Sequence, residues 1–389
     1  MYASFSFRFF SLSLLLTLPG LFFLQSCQKS TVDHAGKGAE PIRIGVFQSI
    51  SGSEASFGQD AMKGIHMAQE EINSHGGVLG RPIELIIRDN LSKAGETSSI
   101  VRELISREHV VALIGEVASG RTLEAAPIAQ RSGIPLIANS ASNDKITKAG
   151  DFVFRVSYRD SQQGEILARY MRSIGKRRAA LLVDISKDNS TTIAKSFRKC
   201  FLSLGGKIVI EQNYNAGDKD FLSQLTVIRN SGADCLLNPG YYTDAASVLK
   251  QSQSLGLKLD TFGSDGWDSM DLIRVAGDAA NGAIFTDPFS ASDPDPTVQS
   301  FVEKYEKKYS DKPMAFTANG FDALMLVADA IRRAGSTDPR AIRDALAATK
   351  GYPGVSGKIT FDHERDPSKS MVLLRIQDGK FNFVRRETP

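Results

Sequence analysis

Three serines lie directly after short apolar runs, where a strand would end and a loop begin. Ser119 follows the run at residues 111–114, and Ser140 and Ser142 follow the run at residues 135–137. Their hydroxyls and nearby backbone N–H groups could bind a carboxylate, and a backbone carbonyl of the second loop could accept a hydrogen bond from an ammonium group. This chemistry suits a free amino acid. On these residues alone, however, helix capping is the simpler explanation of Ser119 and Ser142.

The segment at residues 42–90 has the pattern of one βαβ unit. It predicts a buried strand over residues 42–47, a loop over residues 49–58, a helix and then a second strand over residues 83–87. The buried face of the helix is predicted to carry Ala61, Ile65, Ala68 and Ile72. The loop leads into a helix amino terminus, where free N–H groups and the helix dipole favour an anion, so a carboxylate would suit it.

Apolar runs of three to six residues alternate with helical patterns along most of the chain. Beyond those already named, the runs are residues 178–183, 207–210, 235–238 and 261–263. Such runs between amphipathic helices are typical of parallel sheets covered on both faces, so the predicted fold class is α/β with two parallel sheets. The length exceeds one comfortable hydrophobic core and favours two lobes.

The order of the motifs resembles that of the branched-chain amino-acid (Leu/Ile/Val) binding proteins, the periplasmic receptors of ABC importers. The chain has SG-x5-G before the first helix and then EEIN-x2-GGVLGRPIELIIRD, followed by GEVAS, GIPLIANSAS, FRVSYRDSQQG, NPGYYTDA, GSDGWDS and FTANGFDALMLVADAI. Each motif is weak alone, but their order is specific and spans about nine tenths of the chain.

The resemblance implies a type I periplasmic-binding-protein fold, in which two doubly wound parallel-sheet lobes are joined by three hinge strands. It divides the chain into an N-terminal lobe, residues 41–159 plus 288–356, and a C-terminal lobe, residues 160–287 plus 357–389. Three crossings form a hinge that opens and closes around a ligand.

The resemblance also assigns ligand contacts. It favours ligand binding over capping for Ser119, Ser140 and Ser142, and it adds Asp160 and Asp265 as acceptors for an ammonium group. Asp265 stands where the family usually has glutamate. Because its side chain is shorter by one methylene, contact through water or a slightly different ligand is expected.

The apolar end of the implied pocket departs from the family in two places. Phe57 stands where a tyrosine is common, whereas Tyr241 matches the family's ring, and Trp267 is a further candidate. Asn189 and Ser190 stand where the family commonly has an aromatic residue and a glycine. The more polar wall leaves the ligand open between a small amino acid and a related polar solute.

The N-terminal residues predict export. Residues 1–26 contain one charge, Arg8, and an apolar run at residues 12–24 that is too short for a comfortable membrane span, as in a signal peptide. The sequence LQSC resembles a lipobox, so Cys27 is expected to become lipidated, with residues 27–40 as a tether. An ordinary secretory signal or a short anchor is the alternative. The predicted location is the periplasm, as a membrane-anchored lipoprotein.

Other functional classes have little support in the sequence. Without the signal peptide the chain has 46 Lys and Arg against 44 Asp and Glu, which gives no indication of nucleic-acid binding. Common nucleotide-binding and hydrolase motifs are missing, and the five histidines are scattered. We therefore expect no enzyme, cofactor or metal. Cys200 and Cys235 are expected to be separate buried thiols, although a bridge is permitted outside the cytoplasm.

The expected partners are a small solute and an ABC permease in the inner membrane, with the receptor as a monomer. Two alternatives keep the same fold: a ligand sensor that reports to a membrane receptor, and a receptor for amides or urea.

Overall fold

The computed structural model describes residues 40–388. The predicted signal peptide, Cys27 and residues 28–39 of the predicted tether lie outside this range. Two sheets organise the described residues, each covered by helices, and this confirms the predicted α/β class with two lobes.

The first lobe is built on a five-stranded sheet in the order β2-β1-β3-β4-β5, and all four strand pairings are parallel. The strands are β1 (Ile42–Gln48), β2 (Ile83–Asp89), β3 (Ala112–Ile114), β4 (Leu136–Ala138) and β5 (Val153–Arg155). The helices between them are α1 (Ala55–Ser74), α2 (Glu96–Ser106) and α3 (Ser119–Ser132).

The second lobe is built on a seven-stranded sheet in the order β14-β13-β10-β9-β8-β6-β7. Its strands are β6 (Arg178–Asp184), β7 (Lys207–Tyr214), β8 (Cys235–Leu237), β9 (Asp260–Gly263), β10 (Ile284–Asp287), β13 (Met371–Gln377) and β14 (Lys380–Glu387). Its helices are α4 (Asp160–Ser173), α5 (Asp188–Ser203), α6 (Leu222–Arg229), α7 (Tyr242–Ser254) and α8 (Met270–Ala276).

After β10 the chain returns to the first lobe. There it forms α9 (Pro296–Tyr309), α10 (Ala315–Ala334), α11 (Pro339–Ala347) and a small hairpin of β11 (Tyr352–Gly354) and β12 (Gly357–Ile359), and α10 packs along α1. The chain then enters β13. It thus passes between the lobes three times, after β5, after β10 and after β12. The residue boundaries given above for the lobes remain a prediction.

Both faces of each sheet are buried, as the continuous apolar strands predicted. In the first lobe α1, α9 and α10 cover one face, and α2 and α3 cover the other. In the second lobe α4 and α5 face α6 and α7 across the sheet. Because both faces are covered, the carboxyl ends of the parallel strands are the places left for a site.

The first helix confirms its predicted buried face, since Ala61, Ile65, Ala68 and Ile72 are at most 1% exposed. It begins earlier than predicted, however, at Ala55. The loop was predicted as far as Gly58 because small residues continue to that position. In the structure this glycine lies inside the helix, where an added Cβ would come within 2.0 Å of the carbonyl oxygen of Ser49. The glycine therefore permits close helix-to-loop packing and does not form a turn.

An antiparallel hairpin at the edge of the second sheet was not predicted. β10 pairs with β13 and β13 pairs with β14, both antiparallel, and residues Asp378 and Gly379 connect the last two strands. Both connecting residues have positive φ, 52° and 70°. This geometry is typical of a two-residue type I′ turn, for which Asp-Gly is a preferred sequence.

Cys200 in α5 and Cys235 in β8 are separate free thiols, as expected, but the expectation that both are buried is wrong for Cys200. Cys235 is buried and Cys200 is half-buried. Among residues 40–388, no helix has both the length and the apolarity needed to cross a membrane.

Candidate functional site

A narrow cavity lies between the two lobes, at the carboxyl ends of the parallel strands. Its volume is about 10 Å³, roughly the space that a single water needs. Nine residues line it: Phe57, Val117, Ser119, Ser142, Asn189, Tyr241, Asp265, Gly266 and Phe316. Residues of both lobes thus meet with little space between them, and we call this space the cleft cavity.

Six of the eight residues predicted to bind the ligand line the cleft cavity, and two lie behind it. Ser140 is buried, and its hydroxyl accepts a hydrogen bond from the side-chain amide of Asn319 at 3.3 Å. Asp160, the first residue of α4, is also buried. The further candidate Trp267 does not line the cavity. It is fully buried against Gly263 and Phe285.

The first-lobe wall presents serines that do not cap helices. Ser119 is the first residue of α3, the N-cap position belongs to Ala118, and no side chain caps that end. The Ser119 hydroxyl instead accepts the backbone N–H of Asn143 at 3.2 Å. Ser142 does not occupy the N-cap position of a helix. Its backbone carbonyl accepts the N–H of Asp160 at 2.8 Å. The capping alternative therefore does not explain either serine.

The start of α3 adds a positive electrostatic contribution to the same wall. The first N–H groups of a helix lack intrahelical acceptors, and the helix dipole places partial positive charge there. Ser119 lies at that point and lines the cleft cavity. A carboxylate in the cavity next to Ser119 would receive both hydrogen bonds and favourable charge.

The opposite wall carries a buried carboxylate held by a glutamine. The Gln163 side chain donates to Oδ1 of Asp265 at 3.0 Å and to Oδ1 of Asp160 at 3.3 Å. Its own oxygen accepts the N–H of Asp265 at 3.2 Å and the hydroxyl of Thr286 at 2.8 Å. Gln163 therefore fixes the position of both acidic groups, a role that sequence reasoning missed although the motif YRDSQQG contains this residue.

Neither of these two acids forms an ion pair among residues 40–388. Burial, followed by the charge of Asp265, raises the pKa of Asp160 well above its ordinary value, although the charge of the buried Arg155 partly lowers it. Burial also raises the pKa of Asp265 to about 6. Oδ2 of Asp160 has no hydrogen-bond partner among residues 40–388. A buried carboxylate is stable when a cation or donor satisfies it, so this region suits an ammonium group.

Aromatic rings close the apolar side of the cleft cavity. Phe57 from α1 meets Tyr241 edge-on at a centroid distance of 5.4 Å and Phe316 at 4.5 Å. Val117 completes this side. The sequence predicted Phe57 and Tyr241, while Phe316 and Val117 were missed. Both belong to motifs that were recognised, FTANGF and GEVAS, but their apolar residues were not singled out.

Asn189, which stands where the family commonly has an aromatic residue, also lines the cleft cavity. Asn189 is the second residue of α5 and is 3% exposed. Its side chain therefore offers one donor group and one acceptor beside the Tyr241 ring and the Asp265 carboxylate.

A charged cluster joins the lobes beside Tyr241, and the sequence did not predict it. Lys187 of the second lobe bonds Glu54 of the first lobe at 2.6 Å, and its ammonium lies 5.0 Å from the centroid of the Tyr241 ring. Glu54 also pairs with Arg121, which bonds Glu116 at 2.9 Å. Burial lowers the pKa values of Lys187 and Arg121 and raises that of Glu116 to about 6.

Further hydrogen bonds cross between the lobes around the cavity. The Tyr242 hydroxyl donates to the carbonyl of Ser53 at 3.1 Å, and the hydroxyls of Ser56 and Ser269 are 2.8 Å apart. These contacts and the charged cluster form only when the lobes are close, so they stabilise the shut arrangement.

Comparison with known proteins agrees with this geometry. The family model described as "Periplasmic binding protein" matches residues 41–380. A leucine-binding protein, LivK, from Thermotoga maritima is 33% identical, with a TM-score of 0.86, and the match covers 90% of this chain and 99% of that one. The substrate-binding protein LivJ from Streptococcus pneumoniae, solved with isoleucine, is 32% identical with a TM-score of 0.85 over the same shares.

A curated relative broadens the range of ligands among similar proteins. The leucine-, isoleucine-, valine-, threonine- and alanine-binding protein of Pseudomonas aeruginosa is 26% identical over 329 residues, which are 84% of this chain and 87% of that protein. These relatives are solute-binding proteins and not enzymes, and the two solved structures confirm the type I fold expected from the motifs. The chain belongs to the periplasmic binding protein family.

Proposed function

We propose that this protein is the solute receptor of an ABC importer and that it binds one small amino acid between its lobes. The observation that carries the proposal is the pairing of opposite chemistries across the cleft cavity. Ser119, Ser142 and the start of α3 suit a carboxylate, while Asp265 on the other wall suits an ammonium group. A ligand that bridges both walls stabilises the shut form, because only that form makes both sets of contacts.

We infer that the side chain of the ligand carries a hydroxyl or a short aliphatic group. The cleft cavity, at about 10 Å³, is smaller than any free amino acid, so every such ligand requires the lobes to stand further apart than they do here. The amide of Asn189 can exchange hydrogen bonds with a hydroxyl. The Pseudomonas aeruginosa relative, which is named for threonine and alanine among its ligands, supports the same choice. Threonine is the first candidate, followed by serine, alanine and valine.

A thermal-shift panel tests this proposal. It contains threonine, serine, alanine, valine, leucine and isoleucine, with acetamide, urea and benzoate as chemically distinct solutes. A ligand at a hundredfold excess over its Kd adds about 2.7 kcal/mol to the free energy of unfolding. Titration calorimetry should then give one equivalent bound. Unchanged melting curves for all six amino acids would contradict the proposal, and a shift with acetamide or urea alone would favour the amide receptor.

Delivery to a permease and attachment to the membrane are parts of the same proposal. A lipid on Cys27 would hold the receptor near an inner-membrane permease, while residues 28–40 allow it to reach its partner. Replacement of Cys27 by Ser should move the protein from the membrane fraction to the soluble extracytoplasmic fraction. Loss of the gene should reduce uptake of the labelled amino acid; normal uptake would instead favour the sensor.

A further inference from the structure

A second cavity, of about 300 Å³, lies beside the carboxyl end of β10. Its walls come from the residues after the short helix Asp265–Trp267, from the chain just after β10, from the loop before α10, and from the β13–β14 hairpin. It shares no lining residue with the cleft cavity. We call it the β10 cavity, and the function proposed above does not use it.

Two buried carboxyl groups line the β10 cavity. Asp268 and Asp287 are 2% and 1% exposed. Oδ2 of Asp268 accepts the backbone N–H of Ala315 at 2.7 Å, and the buried Oδ1 of Asp287 has no hydrogen-bond partner among residues 40–388. Such groups are costly to bury unless a donor or a cation satisfies them.

The charges near these two groups are of the same sign. Burial is the main cause of the raised pKa values of both groups, and nearby carboxylates raise them further. The pKa of Asp268 is raised to about 8, and that of Asp287 is also raised. Lys312 and Lys380 also line the cavity, but both are exposed, and neither forms an ion pair with these acids within the described residues. The two acids therefore lack a compensating positive charge from the protein.

The remaining walls are largely apolar. Phe289 and Leu374 are almost fully buried, while Phe381 and Met314 are half-buried at the sides. No group of three or more His, Cys, Asp or Glu side chains in residues 40–388 is arranged to hold a metal ion. The cavity thus joins an acidic end to an apolar body, at a volume that is typical of the lower range of small-molecule sites.

We infer that the β10 cavity binds a primary monoamine with an apolar body. Its ammonium group lies against the carboxyl groups of Asp268 and Asp287, and its hydrocarbon part packs against Phe289, Leu374 and Phe381.

Titration calorimetry with 2-phenylethylammonium chloride tests this inference on the whole protein. We expect saturable binding of one equivalent. 3-Phenylpropan-1-ol and 3-phenylpropanoate resemble the probe in size but lack its positive charge, so they should bind at least tenfold more weakly. No saturable heat with the amine, or equal binding of the alcohol, would overturn the inference.

Variants locate the amine within the molecule. Asp287→Asn keeps the size of the side chain and should weaken amine binding at least tenfold, while Asp278→Asn, an exposed change in the same lobe, should not alter it. Ala291→Phe fills the β10 cavity from a half-buried loop position and should also weaken binding. If Asp287→Asn does not fold, Ala291→Phe still tests the inference.

The cleft cavity is the competing location, and Asp265→Asn distinguishes the two, because Asp265 is the cleft group that suits an ammonium and it does not line the β10 cavity. Amine binding that survives in Asp265→Asn but is lost in Ala291→Phe supports the β10 cavity. The reverse pattern places the amine in the cleft and overturns the inference. The amino acids of the panel carry the carboxylate that suits the Ser119 wall of the cleft, and the amine probe lacks it, so Ser119→Ala should weaken the amino acids and leave the amine unchanged; failure of the proposed function and failure of this inference therefore give separate results.

Discussion

The two walls of the cleft cavity are constructed in different ways. The first-lobe wall uses the ends of regular elements, with Ser119 at the start of α3 and Ser142 shortly after β4. The second-lobe wall uses side chains whose positions depend on tertiary contacts, such as Asp265 held by Gln163. The first wall follows from the topology of the sheet, whereas the second depends on the particular residues of this chain.

This difference suggests a division of labour in recognition. Every free amino acid carries the carboxylate that the first wall suits. In the proposed function, the second wall would contribute the acceptor for the ammonium group and the polar group of Asn189 beside the ligand side chain, and it supplies the ion pair of Lys187 with the first lobe. We therefore expect changes in the first wall to weaken all ligands alike, and changes in the second to affect charge recognition, selectivity and closure.

The largest effect is expected for Asp265→Asn. It keeps the shape of the side chain and an oxygen for Gln163 but removes the charge that faces the ammonium group. The lost charged hydrogen bond is worth about 1.5–3 kcal/mol, which corresponds to as much as about a hundredfold in Kd. Titration calorimetry with the best ligand of the panel measures it, with Asp278→Asn as the control. Unchanged affinity would mean that Asp265 only anchors Gln163.

Ser119→Ala should weaken binding somewhat less, by about thirtyfold. It removes one hydroxyl donor to the carboxylate but leaves the N–H groups at the start of α3. The loss should be similar for threonine, alanine and valine, because they share the carboxylate. The exposed Ser203→Ala on α5 is the matched control. A loss confined to threonine would contradict the division between the walls.

The melting point of Ser119→Ala without ligand separates binding from structure. The variant also leaves the N–H of Asn143 without its acceptor, which costs about 1 kcal/mol of unfolding free energy. A much larger loss of stability would show that the serine serves the fold first.

Acid pH should weaken binding about tenfold between pH 7 and pH 5. Asp265, with a pKa of about 6, is mostly ionised at pH 7 and mostly protonated at pH 5, and only the ionised form pairs with an ammonium group. The folding stability of the protein without ligand depends on pH in the opposite direction. Because this pKa is raised above its ordinary value of 3.8, the contribution of Asp265 to stability is complete at lower pH and is lost as pH rises through about 6.

Asp265→Asn provides the control for this pH effect, since Glu116 also titrates near pH 6. Calorimetric titrations at pH 5, 6 and 7 should show a steep change in the wild type and a shallow one in the variant. Equal slopes would assign the pH dependence to another group.

The first wall was predictable because periodicity and strand order determine it. β3 and β4 are adjacent and parallel, so the loops after them meet at one edge of the sheet, and Ser119 and Ser142 must converge. The resemblance to the family then favoured ligand binding over helix capping as the role of these serines. The β13–β14 hairpin also had a local signal, Asp378-Gly379 between two strands, which was present in the sequence but not used.

The second wall could be predicted only in part. Asp265 and Tyr241 came from motif positions, but Gln163 reaches Asp265 across 102 residues of sequence, and Glu54 reaches Lys187 across 133. Such contacts depend on how the two lobes meet, and no periodic pattern records that. The start of α1 was mispredicted for a similar reason. The sequence alone does not distinguish a glycine that packs closely against another segment, as Gly58 does against Ser49, from a glycine that forms a turn.

The smallest of these effects is expected for Lys187→Met, which weakens closure without removing a group that lines the cleft cavity. Lys187 bonds Glu54 across the lobes with 24% of its side chain exposed, and Arg121 still compensates Glu54 after the change. The loss should therefore stay near 1 kcal/mol, or about fivefold in affinity, and should appear mainly as faster ligand dissociation. Stopped-flow measurements test it, with the exposed Lys195→Met on α5 as the control. If both variants release ligand at the wild-type rate, the ion pair does not contribute to closure, and the second wall acts through Asp265, Asn189 and Tyr241 alone.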